Sequence, residues 1–79
     1  MKLFVGNLDW DVTWQNLKDA FKPSGPVVHA DVILGQDGRS KGFGIVEFAN
    51  PGAASKAIRR MNGQLLGSRP IEVRYDQRP

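Results

Sequence analysis

Residue types able to do chemistry concentrate in one stretch, Lys41-Gly42-Phe43-Gly44-Ile45-Val46-Glu47-Phe48. It reads as a strand, and side chains alternate along a strand. Phe43, Ile45 and Glu47 then share one face; Gly44, Val46 and Phe48 share the other. Both faces carry apolar groups, whereas a sheet in a small domain normally buries one face and wets the other. The second face calls for another packed layer, a ligand or a partner. Leu3 to Leu8 poses the same question: Leu3 and Val5 point one way, Phe4 and Gly6 the other. Other chemistries find little footing. With no cysteine there is no thiolate nucleophile, thiolate metal site or disulfide framework. His29 has no His or Cys companion, which argues against a metal. Gly42-x-Gly44 sits mid-strand, not between a strand and a helix, so it is no phosphate loop. Neither a nucleophile–base pair nor a cofactor loop is visible, so the chain reads as a non-enzyme without cofactor.

The chain has 79 residues, enough for one domain with a limited core. It enters a strand almost at once, at Leu3, as expected of a single domain (1–79) cut from a longer protein. There is no signal-peptide pattern, and its apolar runs are too short to span a bilayer. Net charge is +3. Lys2, Lys18 and Lys22 balance Asp9, Asp11 and Asp19 up to residue 26. All the excess lies beyond, where Arg39, Lys41, Lys56, Arg59, Arg60, Arg69, Arg74 and Arg78 outnumber Asp31, Asp37, Glu47, Glu72 and Asp76. That leans toward a polyanion partner, though a merely soluble basic surface fits equally well.

These side chains need elements to position them. Leu3 to Leu8 forms the first strand. Thr13 is suited to cap a helix, whose buried stripe is Leu17, Ala20 and Phe21. Pro23-Ser24-Gly25-Pro26 ends that helix. Val27 to Leu34 is β-branched and forms a second strand. Strict alternation groups Val28, Ala30 and Val32 on one face, unless a bulge near Val27-Val28 shifts the register. Asp37-Gly38 signals a hairpin turn that returns through Lys41 to Phe48. Asn50 and Pro51 open a second helix, with Ala54, Ala57, Ile58 and Met61 inside and Asn62-Gly63 at its end. Leu65 to Ser68 forms an extended turn. Arg69 to Tyr75 forms the last strand, and Asp76 to Pro79 a tail.

The order βαββαβ implies an α+β, ferredoxin-like fold. Right-handed crossovers put both helices on one face of a four-stranded antiparallel sheet. Leu3, Val5, Val46, Phe48, Ile71 and Val73 then pack against Leu17, Phe21, Ala57, Ile58 and Met61. Phe4, Phe43 and Ile45 remain on the open face, with Arg74 beside them by parity with Ile71 and Val73. Exposed aromatic clusters on small domains usually mark binding sites.

The two strands resemble the paired signatures of the RNA recognition motif (RRM) family. Lys41 to Phe48 matches K/R-G-F/Y-G/A-F-V-x-F/Y at every position but one, and Leu3-Phe4-Val5-Gly6-Asn7-Leu8 matches the shorter signature throughout. Leu8-Asp9-Trp10-Asp11-Val12, Trp14-Gln15-Asn16-Leu17-Lys18 and Gly63-Gln64-Leu65-Leu66 are similar to RRMs of the heterogeneous nuclear ribonucleoprotein M and yeast G-strand-binding SR-like type. The resemblance implies a single-stranded RNA-binding module, with single-stranded DNA as an open alternative. By that resemblance Phe4 and Phe43 stack on bases and Lys41 pairs with phosphate. Arg39, Arg74 and the tail residue Arg78 are candidate RNA contacts. Ile45 stands where the family usually has an aromatic ring. Ile can pack on a base edge or ribose but cannot stack, so modest affinity is expected.

Asn7 is expected to fix the turn after the first strand. Trp10 and Trp14 have two readings. In the first they form a satellite core, on each other or on the Pro23–Pro26 loop. In the second they are an exposed patch for a protein partner, which with the open sheet gives a protein-interaction alternative. The resemblance further implies a monomeric domain in an intracellular setting, in nucleus, cytoplasm or both.

Overall fold

Side-chain caps define both helices of the computed structural model, which describes residues 1–77. Thr13 Oγ1 accepts a hydrogen bond from the Asn16 N–H, and the Asn16 side chain accepts one from the Thr13 N–H. This reciprocal box satisfies two donors that the first turn leaves unpaired, and it starts α1 at Trp14–Phe21. Asn50 Oδ1 accepts from the Ala53 N–H at 2.8 Å, with Pro51 at the first helical position, and α2 runs Pro51–Met61. Asn62 ends it, and its side chain accepts a hydrogen bond from the Val73 N–H at 2.9 Å. One residue therefore caps a helix and ties it to the sheet.

The strands are β1 (Lys2–Gly6), β2 (Val27–Leu34), β3 (Ser40–Phe48), β4 (Leu65–Leu66), β5 (Arg69–Pro70) and β6 (Glu72–Tyr75). Four of them form an antiparallel sheet in the order β2-β3-β1-β6. The expected last strand, Arg69 to Tyr75, is split. Arg69 and Pro70 pair instead with Leu66 and Leu65 in a separate two-stranded ribbon. Pro70 has no N–H to donate to a ladder, and Ile71 donates its own to the Gln64 carbonyl. The bulge suspected near Val27-Val28 is present as a register shift between Val27 and His29. It leaves Val28 exposed, while Ala30 and Val32 are buried.

Both helices cover one face of the sheet. Leu3, Val5, Val46, Phe48, Ile71 and Val73 meet Leu17, Phe21, Ala54 and Ala57 there, and the Phe21 and Phe48 rings lie 6.3 Å apart. Burying a side chain of this size stabilises the fold by roughly 1.5–3 kcal/mol. Ile58 and Met61, expected inside, sit at the margin of this core, whereas Ala53, Leu8 and Val12 join it. Gly44 lets α1 approach: a methyl group there would collide with the Asp31 carbonyl oxygen and with Leu17 Cδ1.

Candidate nucleic-acid interface

The pairing register builds the open face row by row. Phe4 lies opposite Ile45 on one side and Arg74 on the other, and Ile45 lies opposite Asp31. Residues opposite each other in a ladder point the same way. Asp31, Ile45, Phe4 and Arg74 thus form one line across all four strands, on the side away from the helices. Phe43 stands diagonal to Phe4, and the two rings stack with centroids 5.6 Å apart and planes 27° apart. Both are half-buried, as is Ile45.

Gly6 makes room for this pair. A methyl group at Gly6 would come within 2.6 Å of Phe4 Cε2, so the ring lies over bare backbone. Asn7 follows with φ +57°, a left-handed conformation that Asn tolerates. Its side-chain amide donates to the Pro70 carbonyl at 2.7 Å, fixing the end of β1 as the sequence suggested.

Arg74 places its guanidinium carbon 4.2 Å from the Phe4 ring centroid, and its Nε donates to Glu72 Oε2 at 3.0 Å. An exposed cation–π contact is worth about 0.5–1 kcal/mol and an exposed ion pair about 0–1 kcal/mol. Arg74 is therefore held only lightly over a surface of the right size for a base. Lys41 is exposed at the start of β3, and Arg39 is exposed at the hairpin, where its N–H donates to Asp37 Oδ1. Arg78 lies outside the described residues. The structure thus brings Phe4, Phe43, Ile45 and Arg74 together, sets Lys41 at their border and leaves Arg39 on the adjoining hairpin.

Lys2, Glu47 and His29 form a further row of this face that the sequence reading did not assemble as a site. Alternation from Phe4 would have found Lys2. With Lys2, Lys41 and Arg74 against Asp31, Glu47 and Glu72, formal charge on these residues of the open face is balanced.

The tryptophans do not form a satellite core at the Pro23–Pro26 loop. Trp10 is 59% exposed and Trp14 47%. Among the described residues the aromatic ring pairs are Phe4–Phe43 and Phe21–Phe48. Trp10 borders Gly42 and Arg69, while Trp14 lines a shallow hollow together with Lys18, Val28 and His29. The fixed path of the loop, held to β3 by the Leu8 N–H to Gly42 carbonyl bond at 2.8 Å, directs Trp10 toward β3. Beside Trp10, Asp9 accepts hydrogen bonds from the Ser68 hydroxyl and N–H. The Ser68 hydroxyl, assisted by the N–H groups of Asp11 and Ser68, holds the Asp9 carboxyl below its usual range.

This geometry has close counterparts. A serine/arginine (SR)-type shuttling mRNA binding protein of Mycosarcoma maydis is 49% identical over 76 residues, covering 96% of this chain and 13% of that protein. Heterogeneous nuclear ribonucleoprotein M of Mus musculus is 47% identical over 76 residues, covering 96% of this chain and 10% of that protein. The chain thus spans about a tenth of the length of these curated relatives. Among solved structures, RNA binding protein PG1 superposes with a TM-score of 0.94 at 32% identity, covering all of this chain and 96% of that one. The Rna15 RRM with bound RNA (GU) superposes with a TM-score of 0.86 at 29% identity, covering 98% of this chain and 83% of that one. The family model described as RNA recognition motif matches residues 3–72. With both signature strands in the sheet and both helices behind it, the chain belongs to the RNA recognition motif family.

Proposed function

We propose that this domain binds single-stranded RNA on the open face of its sheet. The observation that carries the reading is the Phe4–Phe43 pair, two stacked rings on the one face the helices leave uncovered. Unpaired bases present flat π-faces, and each base stacked on an aromatic ring is worth ~1–3 kcal/mol. That exceeds the roughly 0.5–1 kcal/mol of the Arg74–Phe4 contact, so an incoming base displaces the guanidinium. Arg74 is then free to reach a phosphate or cover the far side of the base. Lys41 and Arg39 supply phosphate contacts at the hairpin side. Ile45 provides apolar contact without a π-face, which keeps affinity modest. The Rna15 relative with its bound RNA and the mRNA-binding relative support RNA as the ligand. A matched DNA oligomer tests whether the 2′-OH contributes.

Phe43→Ala tests the reading. Loss of one stack of ~1–3 kcal/mol should weaken binding of a short RNA roughly 5- to 140-fold, with the thermal midpoint nearly unchanged. Unaltered affinity would overturn the assignment of the platform. Unfolding would mean that Phe43 belongs to the core and that the faces are misassigned.

A further inference from the structure

A groove of about 1210 Å³ runs between the β1–α1 loop and the β2–β3 hairpin. Trp10 and Trp14 line one side, Arg39 and Lys41 the other. Phe43 is common to this groove and to the open sheet face.

Trp10 is largely in water, yet it has neighbours on β3 and on the β4–β5 ribbon. The Arg69 guanidinium carbon lies 5.5 Å from its ring centroid. Its six-membered ring lies over Gly42, where a methyl group would stand 3.3 Å from Cζ3 and 3.6 Å from Cη2. Gly42 has φ +83°, in the region that favours glycine, so the position suits a residue that leaves the indole its space. Asp9 and Asp11, the neighbours of Trp10 in sequence, are tied down. The Asp11 N–H donates to Asp9 Oδ1, and Ser68 donates to Asp9 Oδ2. Neighbours on two sides narrow the rotamers open to this indole, which lowers the entropy it loses on binding.

We propose that Trp10 is a third stacking platform, which takes an unpaired base of the same RNA strand whose neighbouring bases lie on Phe43 and Phe4. This rests on the RNA-binding reading above and extends it. The sheet lacks a ring at Ile45, and Trp10 supplies one beyond the edge of the sheet. The path is continuous, because Phe43 borders both surfaces. Arg39, Lys41 and Arg69 flank it and can neutralise the phosphates between the stacked bases. Asp11 and Asp31, also in the groove, can accept hydrogen bonds from base amino groups. The strand therefore turns off the sheet at Phe43 and enters the groove.

The test uses a fluorescein-labelled pool of randomised octaribonucleotides, read by anisotropy at fixed salt. Trp10→Ala should weaken binding roughly 5- to 140-fold, while Lys56→Gln, on the exposed side of α2, leaves it nearly unchanged. In the Trp14→Phe protein Trp10 is the sole indole, and unlabelled RNA should quench its fluorescence to saturation at the anisotropy Kd. This second readout stands even if Trp10→Ala does not fold. RNA binding as tight in Trp10→Ala as in wild type, or binding that saturates without quenching Trp10, overturns the proposal and leaves the Phe4–Phe43 platform intact. That result would direct the groove toward a peptide. Absence of any binding by the wild-type protein overturns both readings.

Discussion

Ile45→Phe should convert the incomplete platform into a complete one. Ile45 pairs directly with Phe4 on β1 and with Asp31 on β2. A ring at this position would extend the Phe4–Phe43 surface along β3, directly opposite Phe4. One added stack contributes ~1–3 kcal/mol. Some of this replaces apolar contact that Ile already makes, so a net gain of about 1–2 kcal/mol is expected, or roughly 5- to 30-fold in Kd. Stability should change little, since Ile45 is half-exposed and an aromatic cross-strand pair with Phe4 adds only about 0.2–1 kcal/mol. The assay is anisotropy of a labelled octaribonucleotide at fixed salt, alongside thermal melts. Ile45→Leu, with similar volume but no π-face, is the control and should leave Kd unchanged. Equal or weaker binding by Ile45→Phe in a folded protein would refute the claim that this position limits affinity. An equal gain from Ile45→Leu would show that apolar area, not stacking, is what counts.

Other perturbations separate fold from function. Gly44→Ala should lower stability by about 1–3 kcal/mol or more through overpacking, because the new methyl meets the Asp31 carbonyl and Leu17; a denaturant melt indistinguishable from wild type would contradict the packing described. Three phosphate contacts by Lys41, Arg39 and Arg74 predict a slope of log K against log salt of about −2 for a single strand; the slope should flatten by roughly 0.7 in Lys41→Ala, and an unchanged slope would remove Lys41 from the contact set. Asp9 has a folded-state pKa below its usual 3.8. Its contribution to stability is present above that usual value and is lost as pH falls through the lowered pKa. The gap in thermal midpoint between wild type and Asp9→Asn should therefore close between pH 5 and the acid limit, and a gap that persists would contradict the Ser68 assignment.

Much of this was legible in the chain because it rests on local periodicity. Thr13 and Asn50 announce their helices by residue type, and both cap as expected. Alternation in Leu3–Leu8 and Lys41–Phe48 places Phe4, Phe43 and Ile45 on one side. The split of the last strand was harder to read, since Ile71 and Val73 alternate properly while Pro70 breaks the ladder just before them. Trp10 was beyond reach. Nothing near it in sequence says where a loop indole rests, and the residues that border it, Gly42 and Arg69, come from β3 and from the β4–β5 ribbon. Gly6 as the bed of the Phe4 ring likewise depends on a side-chain position rather than on a pattern.

The most direct test of the account is a titration of the nitrogen-15-labelled domain with short RNA, followed by amide and aromatic chemical shifts. Shifts should concentrate at Phe4, Lys41, Phe43 and Arg74 and fade as salt rises, with the α2 amides unmoved. Shifts confined to the helical side, or none at millimolar RNA, would contradict it.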